Sequence, residues 1–445
     1  MRLFPLFISI TFLGTISCSS SRFIQSSAKK NILKNEVFSN THTGIAIYDP
    51  LNDNFLYNYQ ANKYFIPASN TKIISCYAGM KFIGNNLTGI QYISTDTAIF
   101  LIPTGDPSFL HKDFATQPVA DFLKSTTKPL YMLDTWKENA LGKGWSWDDY
   151  NEDYMVERSP MPIYGNLYRW FQVKGKKETP SNPADTIDTF IYADPEPDGE
   201  VSFGKPSANG VFNVKRDINA NNFTIFEGNE THGETDIPFV TNGIETALKM
   251  IYDSLHVKIL PFSGNLPKGE IKEIVSRPLD TLLKPMMHRS DNFFAEQTLL
   301  MAGKALGTGL QSGATIKDLL KNDLSGFPDL PRWVDGSGLS RYNLFTPRDF
   351  VWILNKMNKE FGMNRLTTIL PTGGTGTLGS AYKADSTRIY AKTGSLTGVN
   401  ALSGYLITRK NKVLIFSVLV NNHVQPASVI RNQVAQFLHE VIEHY

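Results

Sequence analysis

From Leu279 onward, apolar residues recur at helical spacing. Leu282, Leu283, Met286 and Met287 form one face, and Phe293 to Leu300 opens a second helix. The period then changes. Ile389 to Lys392, Val399 to Thr408 and Val413 to Val420 read as strands, and a closing helix carries Ile430, Val434, Phe437, Leu438, Val441 and Ile442. Near the other end, Gly44 to Tyr48 and Phe55 to Tyr57 predict a hairpin around the turn residues Asp49 to Asp53. After Ile66-Pro67-Ala68, a helix is expected to begin at Ser69, with Ile73, Cys76, Tyr77 and Met80 on its buried face. Strand signals early and late in the chain suggest one sheet built from both chain ends.

The stretch from about 85 to 275 differs. Short strand-like pieces, Ala98 to Ile102 and Leu130 to Leu133, stand between clusters of Gly, Pro, Asp and Asn, and the segments 174–186 and 227–236 are polar. One amphipathic helix brings Ile244, Leu248, Ile251 and Leu255 to one face. The expected division is therefore residues 19–84 with 277–445 as one domain, and 85–276 as an inserted, strand-rich accessory region of one or two small domains. No internal repeat is visible.

Residues 1–18 read as a secretory signal. Met1-Arg2 is basic, Leu3 to Ile16 is apolar and too short to span a bilayer comfortably, and small residues follow. Cys18 after Ser17 resembles a lipoprotein cleavage site, with plain signal cleavage as the alternative, so the membrane is expected as a partner only through a lipid on Cys18, with the protein in the periplasm or cell envelope. Residues 19–42 are polar and read as a tether leading into an N-terminal helix. The other cysteine, Cys76, reads as a small buried residue. The composition is globular, with 41% hydrophobic and 19% charged residues, and a net charge of +2 gives no electrostatic case for nucleic acid. Neither a zinc-type Cys/His spacing nor a phosphate-binding glycine loop is present, and no metal or organic cofactor is expected.

Three short elements stand in order: Ser69-Asn70-Thr71-Lys72, Ser290-Asp291-Asn292 and Lys392-Thr393-Gly394. Each alone is weak. Ser26, Ser27, Ser125, Ser202 and Ser380 also begin an S-x-x-K, and Ser207 and Ser263 an S-x-N. Context selects among them. Ser69 opens an apolar helix, where a serine ordinarily caps the N-terminus. There Lys72 lies one turn away, and free N–H groups face any oxyanion that forms. Ser290 precedes an apolar helix, and N-capping is the plain reading there too. Lys392-Thr393-Gly394 is the only K-T-G, expected to end a strand, with Gly394 letting a substrate backbone lie against the strand edge.

The triple is the signature of class A β-lactamases and penicillin-binding proteins. With Asp335-Gly336-Ser337-Gly338-Leu339-Ser340-Arg341, Thr375-Gly376-Thr377-Leu378 and Gly144-Trp145-Ser146-Trp147-Asp148-Asp149, nearly all of the chain beyond residue 35 resembles the D-alanyl-D-alanine carboxypeptidase/endopeptidase family, the low-molecular-mass class C penicillin-binding proteins. The long interval between Lys72 and Ser290 agrees with the family's insertion, and no E-x-x-L-N loop of a class A β-lactamase is found.

The resemblance implies an α+β penicillin-binding transpeptidase-like fold, an antiparallel sheet flanked by helices with a large strand-rich insertion. It implies peptidoglycan peptides as substrates and β-lactams as covalent inhibitors. Ser69 would be the nucleophile, Lys72 its base with its pKa lowered by burial and by Lys392 as the neighbouring cation, and Ser290 the proton relay. Asn292 would hold the substrate amide, Lys392, Thr393 and Gly394 would receive the terminal carboxylate, and Ser69 and Ser395 would supply oxyanion N–H groups. Asp134 would meet the amino end of the peptide stem. Two other readings stay open: a β-lactamase-like hydrolase, and a non-catalytic wall-binding protein of this fold.

Overall fold

The computed structural model describes residues 16–176 and 187–445; Met1 to Thr15, most of the expected signal, and residues 177–186 of the polar segment lie outside the described residues. The chain forms two compact units. One takes in the chain up to Asn70, Pro328–Pro331 and Leu344–Tyr445; the other takes in Thr71–Phe327 and Arg332–Asn343. This partition differs from the division expected at 85 and 276.

The first unit holds the sheet drawn from both chain ends. Its five strands run in the order Ile389–Leu396, Val399–Ile407, Val413–Asn421, His42–Asp49 and Asn54–Tyr59, each pair antiparallel. Alternation sends Leu414, Phe416, Val418 and Val420, with Ile45, Ile47, Leu402 and Leu406, into one core. The closing helix Ala427–His444 seals that face, with Ile430, Val434, Phe437, Leu438, Val441 and Ile442 all buried. On the opposite face the Tyr405 hydroxyl donates to Leu354 O at 2.7 Å, in the helix Pro347–Ile369. The sheet therefore has helices on both sides.

The polar residues after Cys18 are not a loose tether. The helix Ile16–Ala28 and the turn Lys29–Leu33 bury Ile24, Ala28 and Ile32 in the same core. Their spacing of four and four is a helical stripe that the abundance of Ser and Lys masks. Glu440 of the closing helix clamps this segment, accepting from Ser27 Oγ at 2.6 Å, Asn31 Nδ2 at 2.9 Å and Lys30 Nζ at 3.1 Å. Burial works against the Glu440 carboxylate, but hydrogen bonds from Ser27, Gln436, Lys30 and Asn31 hold its pKa down, from the ordinary 4.5 to about 2. A depressed carboxylate contributes stability that is complete above 4.5 and is lost as pH falls toward 2. Acid titration of thermal stability should show that loss, and Glu440→Gln should flatten the curve over the same window.

The second unit carries the strand-rich region. A five-stranded sheet runs Ile259–Phe262, Leu130–Leu133, Ile99–Pro103, Asn86–Ser94 and Lys272–Pro278, beside two three-stranded sheets. The expected amphipathic helix is Glu245–Leu255, with Ile251 fully buried. The polar segment 227–236 ends inside a strand, His232–Pro238, paired with Leu167–Lys176. The helix Lys72–Ala78 belongs here because it is buried on every side and packs on Asn292–Leu306, which is itself tied to the strand region. Gln297 Nε2 donates to Gly105 O at 2.8 Å and to Ser159 O at 2.9 Å.

Candidate active site

In the first unit, strand register builds a polar row in an otherwise apolar sheet. Lys392 pairs with Ser403, and Ser403 with Ser417, so the three side chains share the face away from the terminal helices. Asn70 locks onto this row. Oriented to satisfy both neighbours, its amide nitrogen donates to Lys392 O at 2.7 Å and its oxygen accepts from Ser403 Oγ at 2.8 Å. Lys392 is completely buried, and its ammonium donates to Thr393 O at 2.8 Å.

The K-T-G sequence does not end a strand. It lies within Ile389–Leu396, the edge strand, and pairing continues through Ser395–Asn400 to Leu396–Val399. Glycine is tolerated mid-strand because the chain 67–70 crosses it closely. A Cβ on Gly394 would stand 2.6 Å from Pro67 O and 3.1 Å from the backbone nitrogens of Ser69 and Asn70. The Ser69 backbone is thus held against the strand. Ala391 N–H donates outward to Pro371 O at 3.1 Å, and two-residue alternation turns the N–H groups of Thr393 and Ser395 the same way.

Ser69 is not an N-cap. It sits second in the 3-10 turn Ala68–Thr71, which runs directly into Lys72–Ala78. Ala68, just before it, has φ 47°. A non-glycine residue in this left-handed region costs on the order of 1–3 kcal/mol, and such strain collects at functional sites.

In the second unit the structure gathers Lys72, Asn292 and Ser337. Lys72 has no solvent exposure; its ammonium donates to Asn292 Oδ1 at 2.6 Å and to Ser337 O at 2.8 Å. Burial pushes its pKa down to about 8, against the opposing pull of Asp335, Asp291 and Glu296. Desolvation is the largest cause of that direction. Asn292 Nδ2 donates to Tyr154 O at 2.9 Å, which fixes the amide that holds the lysine.

Ser290 does not cap the following helix either. Asp291 does, its carboxylate accepting from Phe294 N at 2.9 Å, while Ser290 is half-buried with φ 63°. Asp134 stands apart from this group. Its N–H donates to Phe262 O at 2.8 Å, and it lines a cleft of about 600 Å³ with Trp136, Lys304 and Gln311, a lining that does not include Lys72, Ser290 or Asn292.

Asn70 and Ser337 lie within the motifs without an expected role, and Ser403 and Glu296 lie outside them. Asp335, in the segment around Ser337, accepts from Gly338 N at 2.9 Å, Ser340 N at 2.7 Å, Asn343 Nδ2 at 2.7 Å and Trp145 Nε1 at 2.9 Å. Two segments that carried only a resemblance are thus one hydrogen-bonded loop system. Glu296 had a readable signal: it is the one acidic residue in the apolar helix Asn292–Leu306, one turn after Asn292.

The fold is that of an active-site-serine, penicillin-binding protein. Penicillin-binding protein 4 (dacB) of Haemophilus influenzae matches with a TM-score of 0.73, covering 95% of this chain and 99% of that one at 19% identity. The same protein has a crystal structure complexed with a β-lactam. A predatory peptidoglycan endopeptidase from Bdellovibrio bacteriovorus matches with a TM-score of 0.52 over 91% of this chain and 93% of that one, at 13% identity. In sequence, the D-alanyl-D-alanine carboxypeptidase of Actinomadura sp. (strain R39) is 23% identical over 456 residues, 93% of this chain and 84% of that one. Residues 25–441 match the D-Ala-D-Ala carboxypeptidase 3 (S13) family, and the chain belongs to it. It is a serine-type D-alanyl-D-alanine carboxypeptidase.

Proposed function

We propose that this chain hydrolyses the D-Ala-D-Ala ends and cross-links of peptidoglycan stems through an acyl-enzyme on Ser69. The observation that carries the reading is Lys72: three residues after Ser69, wholly buried, fixed by Asn292 and Ser337, with its pKa at about 8. A buried amine costs stability and is retained where chemistry needs a lysine that can be neutral. With a pKa of about 8, roughly a tenth of it is neutral at pH 7.

Ser69 Oγ attacks the carbonyl carbon of the penultimate D-Ala and passes its proton to Lys72 Nζ. The backbone N–H groups of Ser69 and Ser395 receive the oxyanion, and each such donor typically lowers the barrier by about 3 kcal/mol. The C–N bond then breaks as the proton passes through Ser290 to the leaving amine. Asn292 orients Lys72 and the substrate amide, and Lys392 and Thr393 receive the terminal carboxylate beside Gly394. Water attacks the ester, giving up its proton by the same route, and Ser69 is regenerated.

Labelled penicillin mapped to the peptide containing Ser69, and absent from Ser69→Ala, is the expected result. Label elsewhere, or retained in Ser69→Ala, rejects the reading, and rapid penicillin turnover in place of a stable adduct favours a β-lactamase. We also assign Asp134 to the amino end of the stem peptide. Asp134→Ala should then acylate normally with penicillin yet cleave amine-bearing muropeptides more slowly. No helix among the described residues is long and apolar enough to cross a membrane. Export to the cell envelope by the signal at 1–18, with a lipid on Cys18, is part of the proposal, and mass spectrometry of the mature N-terminus tests it.

A further inference from the structure

The buried ammonium of Lys72 is held from behind by the backbone of one residue, Ser337. Ser337 O accepts from Lys72 Nζ at 2.8 Å, and on the other side of the same residue Ser337 N–H donates to Glu296 Oε1 at 2.7 Å. Glu296 is 1% exposed and lies on the helix that begins with Asn292, the other group holding Lys72. The loop is pressed onto that helix: a Cβ on Gly336 would stand 2.7 Å from Ala295 O. Ser75 Oγ pins the other end of the peptide that Glu296 holds, donating to Gly336 O at 2.6 Å.

Behind Glu296 stands Arg158, also buried, with Nη1 3.6 Å from Glu296 Oε2 and 3.0 Å from Ser312 Oγ. Arg158 is itself anchored by Asn139 O at 2.8 Å and Leu141 O at 3.1 Å. A buried carboxylate is expensive to keep. What the carboxylate does is receive the N–H of the residue whose carbonyl positions Lys72.

We infer that Glu296 is a positioning residue for the reaction, fixing the Ser337 backbone through its N–H so that the Ser337 carbonyl aims the Lys72 amine. The inference rests on the reading of Lys72 as base. Two near-isosteric variants separate acceptor from charge. Glu296→Gln and Glu296→Met remove the same negative charge, but only Gln keeps an oxygen for Ser337 N–H.

The test is acylation by a chromogenic penicillin, resolved into non-covalent affinity and acylation rate, with melting temperature as a check of folding. Glu296→Gln should acylate within about threefold of the unsubstituted protein. Glu296→Met should lose about 10- to 100-fold in acylation rate with affinity unchanged, the usual scale for a loosened supporting group. Equal rates for Glu296→Met and the unsubstituted protein overturn the inference, as does a loss in Glu296→Gln matching that in Glu296→Met. Should Glu296→Met not fold, Glu296→Gln decides alone: a rate kept within threefold supports the inference, and a tenfold loss overturns it. Lys72→Ala keeps the two claims distinct. If it acylates normally, the reading of Lys72 fails and takes this inference with it; if it is slow while Glu296→Met is normal, only the inference fails.

Discussion

Lys72→Ala leaves a folded protein that binds penicillin and acylates about 10²- to 10⁴-fold more slowly, the span that a positioned general base contributes. The side chain is wholly buried and held by Asn292 Oδ1 and Ser337 O, so no solvent lysine can replace it. Acylation in the unsubstituted protein should rise with pH and level off above about 8, as the amine loses its proton. A stopped-flow pH series checks both statements, and near-normal acylation in Lys72→Ala removes Lys72 as base. The same shift has a stability signature. The folded lysine has a pKa of about 8 against the ordinary 10.5, so between these values the unfolded chain binds more protons. Stability from this group therefore climbs with pH across that window and carries the full burial penalty below it. Lys72→Met, with nothing to titrate, should lack that climb in chemical denaturation.

Gly394→Ala is expected to be the most damaging single-methyl change in the chain's acylation machinery. Its Cβ would stand 2.6 Å from Pro67 O and 3.1 Å from Ser69 N, and both neighbours are backbone, so relief requires moving the strand away from Ser69. Overpacking of this kind costs about 1–3 kcal/mol of stability. The catalytic loss should be larger, about 10²-fold, because a shift near 1 Å displaces nucleophile and oxyanion donors relative to each other. Gly313→Ala is the control: it lies in the helix Ser312–Lys321 with nothing within 4 Å of its Cβ, and should acylate normally. Matching acylation rates in the two variants would remove the steric argument.

Much of this was legible in the sequence because period and motif are local. The late strands, the closing helix with Ile430 to Ile442, and the order of the three motifs needed no tertiary information. What the sequence hid depends on partners far along the chain. Asp291 and Ser290 are equally good capping residues by type, and only the left-handed backbone at Ser290 gives the cap to Asp291. Gly394 reads as a strand end until the crossing chain 67–70 explains why a glycine stands mid-strand. The segment after Cys18 looks like linker until Glu440 collects its polar side chains. The burial that lowers the pKa of Lys72 involves Asn292 and Ser337, more than 200 residues along the chain. Asp134 carries a role only through the family resemblance, and the strand before it leads into a cleft that Asp134 lines.

The pairing of His42–Asp49 with Val413–Asn421 also has a consequence in time. A nascent chain cannot zip this sheet until Val413–Asn421 has been synthesised, and contacts so distant in sequence form slowly. The strand with Lys392 has no finished sheet to join before then, and Asn70 has no Ser403 to grip. A copy truncated before these strands is thus inert, and the activity is withheld until they have been made.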